Sequence, residues 1–118
     1  RKAAGSIIGN WTSATVSTEW SYLDWPVSSA DLEKLRGVRF VFTSGSHALE
    51  IDGVELLENG KVIARDQHAG LAGKPSRGNF YKLSLPKGIH ANNGCSLRAR
   101  VRSVGGKSSN GKLELIKE

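Results

Sequence analysis

The side chains of this 118-residue chain that could do chemistry are three histidines, His47, His68 and His90, one cysteine, Cys95, and 11 acidic residues. The histidines fall in or beside loop-like segments, where ligand contacts congregate. Asp66-Gln67-His68 has the spacing at which a carboxylate orients an imidazole for general-base work. No nucleophile is marked beside it, and an aspartate ending a strand more often caps the following turn. His47 and His68 have no third ligand at characteristic spacing, so no metal site is supported. The chain contains no HExxH, no GxSxG, no P-loop and no GxGxxG after a strand. Glycoside hydrolysis needs two carboxylates facing each other across a cleft. Glu50, Asp52, Glu55, Glu58 and Asp66 instead lie along one hairpin and read as solvated charges. Cys95, between Gly94 and Ser96, has no partner for a disulfide and reads as an inert thiol. The expectation is a domain without catalysis and without a cofactor.

Aromatic residues are more suggestive. Trp11, Trp20, Tyr22 and Trp25 fall within one short stretch. Such rings stack on the apolar C–H face of a pyranose while neighbouring polar groups bond its hydroxyls. The competing reading is core filling, and Trp11, between Asn10 and Thr12, is expected to be the most exposed of the three tryptophans. The formal net charge of +6, from 17 basic against 11 acidic residues, raises the prior for anionic partners. The basic residues are scattered, however. Their densest run, Arg98-Ala99-Arg100-Val101-Arg102, has the period of a half-buried strand, with the arginines as its solvated face.

These groups must be positioned by a single domain, because the length allows no more. Hydrophobic residues at 38% and charged residues at 24% exclude a disordered tail and a bundle of membrane helices. No apolar run approaches the ~18 residues of a spanning helix, and no secretory pattern opens the chain. The chain holds no methionine, even at position 1. The expectation is therefore a domain excised from a larger protein, with residues 1–5 as a linker stub and 6–118 as the folded unit.

Nearly everything reads as short strands. They are expected at Ser6–Trp11, within Thr15–Val27 (where Pro26 argues for an edge), and at Val38–Thr43. Ala48–Leu57 follows, with a bulge at Asp52-Gly53 that turns Val54 and Leu56 inward. Asn59-Gly60 between apolar runs predicts a type I′ hairpin, with its return strand at Val62–Asp66. A long loop over His68–Gly78 precedes strands at Asn79–Pro86, Ser96–Val104 and Gly111–Lys117. The one helix candidate runs from Ser29 to Arg36, capped by Ser28 or Ser29 and stopped by Gly37. About eight strands with at most one short helix give an all-β fold, an antiparallel β-sandwich of jelly-roll type.

Thr18-Glu19-Trp20, Val38 to Ile51 with its Thr43-Ser44-Gly45-Ser46-His47, Val54 to Lys61 with its Leu57-Glu58-Asn59-Gly60-Lys61, Ala64 to Gly70 and the closing Ser109-Asn110-Gly111 together carry a resemblance. Over roughly residues 16–117 the chain resembles the galactose-binding-like β-sandwich module that follows the catalytic domain of bacterial glycoside hydrolases such as β-N-acetylhexosaminidases and α-L-fucosidases. The resemblance implies a non-catalytic accessory role, a secreted or periplasmic parent, and carbohydrate binding or packing on the catalytic domain. Many such jelly rolls hold a structural calcium, but here few Asp or Asn oxygens are clustered outside Asp66 and Asn92-Asn93, so a calcium is unsupported.

A bound glycan is expected at the tip loops. The candidate ligand residues are Trp11 as a stacking ring, with His47, Asp66, His68, Arg77 and Asn79 around it. His47, Asp66 and Arg77 would bond hydroxyls, and Arg77 could meet an acidic sugar. The partners expected are a glycan or the parent's catalytic domain, with a monomeric module and no membrane. Nucleic-acid binding through Arg98, Arg100 and Arg102 ranks below both.

Overall fold

The structure, a computed structural model, describes residues 4–88 and 95–117. His90, Asn92, Asn93 and residues 1–3 of the expected stub lie outside the described residues. In chain order the elements are β1 (Ala4–Trp11), β2 (Ser21–Val27), α1 (Ser29–Leu32), β3 (Leu35–Gly45), β4 (Leu49–Glu58), β5 (Lys61–Ala72), β6 (Phe80–Lys82), β7 (Cys95–Ser103) and β8 (Ser109–Lys117). They form two four-stranded sheets, ordered β1-β8-β3-β6 and β2-β7-β4-β5. Every pairing is antiparallel. Crossing between the sheets after β1, β2, β3, β5, β6 and β7 gives the jelly-roll order of an all-β sandwich.

Alternation in the sequence builds each inner face. Leu97, Ala99 and Val101 of β7, Leu113 and Leu115 of β8, and Val38 and Phe40 of β3 are fully buried, as period-two strands with one wet face require. Phe40 is the hub of an aromatic cluster, with ring centroids 6.0 Å from Trp11, 6.2 Å from Trp25 and 5.7 Å from Tyr81.

The local expectations at Asp52-Gly53 and Asn59-Gly60 are met. The β4 register shifts between Ile51 and Gly53 against both neighbours, leaving Ile51, Val54 and Leu56 all inward. Asn59 and Gly60 take φ of 51° and 81°, joining Glu58 to its partner Lys61, and such a pair of positive φ values favours Asn-Gly. Pro26 does lie on an edge strand, β2.

Several boundaries differ from expectation. β1 starts at Ala4, which pairs with Lys117, so residues 4 and 5 belong to the sheet and not to a stub. The helix stops at Leu32 because Leu35, fully buried, is already needed as the first residue of β3. β5 continues to Ala72, so His68 sits on a strand and the following loop is shorter than predicted.

The expectation that Trp11 is exposed is overturned: it is 0% exposed. Its register partner is Gly111, on which the ring lies so closely that a Cβ there would come within 2.2 Å of it. Its indole Nε1 donates to buried Ser109 Oγ at 3.0 Å. Trp25 is placed the same way, over Gly9, with Nε1 donating to the Asn10 carbonyl at 3.0 Å. Trp20 alone stays outside this core.

Candidate functional site

The six expected site residues do not converge. Trp11 is core. His47 lies in the β3–β4 connection, half-buried, with its ring against Gly106 and its backbone N–H donating to Ser108 at 2.8 Å. Asp66 and His68 do come together, with Nδ1 3.1 Å from Oδ1, but both are committed elsewhere. Asp66 Oδ2 accepts the Lys82 N–H at 2.7 Å, and His68 Nε2 lies 2.9 Å from the Gly78 carbonyl. The imidazole stacks on Tyr81, centroids 4.0 Å apart and 8° from parallel. Tyr81 Oη donates to the His68 carbonyl at 2.9 Å, and burial pushes that phenol well above its ordinary range. Asn79 Nδ2 donates to the Phe40 carbonyl at 2.7 Å.

β5 and β6 are the edge strands of opposite sheets. Asp66, His68 and Tyr81 therefore staple the sandwich shut along one side, satisfying edge groups that would otherwise lack partners. Both ring nitrogens of His68 thus face oxygen atoms of the fold itself, the Asp66 carboxylate and the Gly78 carbonyl. Arg77 differs from the rest. It is exposed, its backbone bridges Leu71 in both directions at 2.7 and 2.8 Å, and its guanidinium has no ion pair among the described residues.

The outer face of the second sheet carries the chemistry. Residues paired across adjacent antiparallel strands point to the same side, and the register lays out charged rows. One row reads Asp24, Arg98, Glu55, Arg65 across β2, β7, β4 and β5. Glu55 Oε1 accepts two bonds from Arg98, at 2.7 and 3.1 Å, and Oε2 accepts two from Arg65, at 2.8 and 3.1 Å. The next row is Tyr22, Arg100, Gly53 and Gln67, with Arg100 Nη1 donating to Asp52 at 3.0 Å. The third pairs Arg102 with Glu50, bonded at 2.5 Å, and then Leu71. Aromatic rings lie against the guanidiniums: Tyr22 is 5.1 Å from Arg98, and Trp20 is 4.6 and 4.7 Å from Arg100 and Arg102, within cation–π range.

Arg98, Arg100 and Arg102 do line the outer, partly exposed face of β7, as the alternation predicts, and Glu50, Asp52 and Glu55 lie beside them on β4. What the alternation does not reveal is that each set neutralises the other. The Arg98 guanidinium, with further help from Arg65, holds the Glu55 carboxyl below the usual carboxylate range against the opposing effect of burial. Glu55 in turn holds Arg98 charged.

In the middle of the face the side chain is missing. Gly53 leaves a groove of about 220 Å³ walled by Tyr22, Asp52, Glu55, Arg65, Arg98 and Arg100, with Gln67 beside it. Tyr22 is 58% exposed, leaving ring area for a ligand. The groove's carboxylates are bound to guanidiniums, Glu55 to Arg98 and Arg65 and Asp52 to Arg100. Among the described residues no three histidine, cysteine, aspartate or glutamate side chains are grouped to hold a metal ion. Burial also pushes the Cys95 thiol up, away from the reactive thiolate. Comparison with known protein families gives no matching model, and comparison with curated proteins gives no match.

Proposed function

We propose that this domain is a non-catalytic carbohydrate-binding module, accessory to a secreted bacterial glycoside hydrolase, and that it holds a sugar unit in the Gly53 groove. The observation that carries the reading is the groove itself: an exposed Tyr22 ring beside guanidinium and carboxylate groups already fixed by one another. A sugar offers an apolar C–H face and hydroxyls that both donate and accept, which is the complement of such a wall. Pre-paired charges lose little by turning spare donors and lone pairs toward hydroxyls, because the side chains are ordered beforehand. The parent enzyme class rests on the sequence resemblance.

Other readings draw less support. Nucleic-acid binding would use Arg98, Arg100 and Arg102, which already have carboxylate partners. A packing role without a ligand predicts an apolar patch. Among the described residues the exposed large apolar side chains, Ile7, Tyr22, Phe80 and Val104, are instead distributed over both sheets and a loop.

The test is a glycan array followed by titration calorimetry on the hits, with Tyr22→Ala as the comparison. The reading predicts binding in the millimolar-to-micromolar range, about 4–8 kcal/mol, lost in Tyr22→Ala with the fold intact. Silence across the array, or hits unaffected by that substitution, contradicts it.

A further inference from the structure

We infer that the ligand is an oligosaccharide bearing an anionic group, and that Arg77 reads this group at a second subsite on the same face. The inference rests on the groove reading above. The row that runs through Arg102, Glu50 and Leu71 continues to Arg77, because Arg77 bridges Leu71 as a further strand would. Along it lies a second groove of about 220 Å³, walled by Glu50, Ala69, Leu71 and Arg77 and floored by Gly70 and Gly78. Gly70 must be a glycine, since a Cβ would come within 2.3 Å of the Gly78 carbonyl oxygen. That close approach keeps the Arg77 segment seated on β5.

Both grooves border β4, the first at Asp52 to Glu55 and the second at Glu50. Across the bulge Glu50 and Glu55 lie as far apart as their partners Arg102 and Arg98, about 13 Å at roughly 3.3 Å per residue, longer than one pyranose ring, so a ligand reaching from one to the other has more than one unit.

Charge sets what the far unit carries. Arg65, Arg98, Arg100 and Arg102 each bond a carboxylate of the protein at 3.0 Å or closer. An anion reaching them would have to break an existing pair. Glu50 would repel an anion in the second groove, but Arg102 neutralises it. Among the described residues Arg77 is the guanidinium of this face without an ion pair, and its planar fork matches a carboxylate or sulfate in two parallel bonds.

The test is calorimetric titration of the whole chain with two matched series: lactose, fucosyllactose and sialyllactose, then xylobiose, xylotetraose and a glucuronic-acid-bearing xylotriose. The inference predicts that in one series the acidic member binds about tenfold or more tighter than the neutral one of equal length. Arg77→Gln should remove that advantage, leave the shortest neutral sugar's affinity unchanged and leave Tm unchanged. Equal affinity of the acidic and neutral members overturns it, as does an Arg77→Gln effect that is absent or equal for all lengths. Binding of the short neutral sugars without an acidic preference sinks the second subsite alone. No binding by any member contradicts both subsites.

Discussion

The Glu55 carboxylate and the Arg98 guanidinium face each other across the β4–β7 ladder, Oε1 accepting bonds of 2.7 and 3.1 Å. Because the same carboxylate also takes both bonds from Arg65, one acid on the central strand fixes arginines on both neighbours. The face is thereby ordered before any ligand arrives.

That pairing sets an acid dependence. The folded-state Glu55 value lies below the ordinary 4.5, first because of Arg98. A depressed carboxyl contributes stability that is fully present above the unfolded value and is lost as pH falls through the folded one. Urea denaturation should therefore show stability falling as pH drops below about 4.5. Glu55→Gln should fall less steeply over that window and sit about 1 kcal/mol lower at neutral pH. Asp31, held low by its bond to Lys117, contributes in the same direction and leaves a residual slope. An unchanged slope in Glu55→Gln would mean that the pairing carries no stability.

Substitutions around Trp11 should damage the fold and not the ligand groove. Trp11→Ala is expected to cost about 3–5 kcal/mol. Gly111→Ala should be destabilising as well, because the added methyl meets the rigid indole at 2.2 Å and overpacking costs about 1–3 kcal/mol or more. Thermal denaturation checks both. A Gly111→Ala protein as stable as the parent would contradict the packing described.

The Asp66, His68 and Tyr81 group is a structural staple, and its variants should behave accordingly. Tyr81→Phe removes the donor to the His68 carbonyl and should cost about 1–3 kcal/mol. Glycan affinity, measured well below the lowered Tm, should stay at the parental level for Tyr81→Phe. Loss of binding with intact stability would assign this group to a ligand site instead.

Much of the fold is legible in the sequence, because it is written locally. Asn59-Gly60 dictates its hairpin through positive φ, and the apolar alternation of Leu97, Ala99 and Val101 dictates an inner face. The site is less legible because it is written across strands. Glu50, Asp52 and Glu55 are spaced two and then three apart, while Arg98, Arg100 and Arg102 are spaced two and two. The extra residue is the bulge at Asp52-Gly53, so the two sets come into register only once that bulge is placed between them. Read that way, the sequence does hold the signal for the charged rows. Trp11 could not be placed so easily. Its burial depends on Gly111, a hundred residues on, lacking a side chain where the ring must lie. His68 looked available because β5 runs on past the expected strand end and carries it against Tyr81.

The most direct measurement is glycan affinity of Gly53→Leu beside that of the parent chain. The backbone at Gly53 is not left-handed, and the three atoms nearest a Cβ there all belong to Gln67, at 3.2 to 3.5 Å, the closest being in its flexible side chain, so the variant should fold with a Tm close to the parent's. Its side chain should occupy the groove between Tyr22 and Arg65 and reduce affinity at least tenfold. A folded Gly53→Leu protein that binds the same glycans with undiminished affinity would contradict the account.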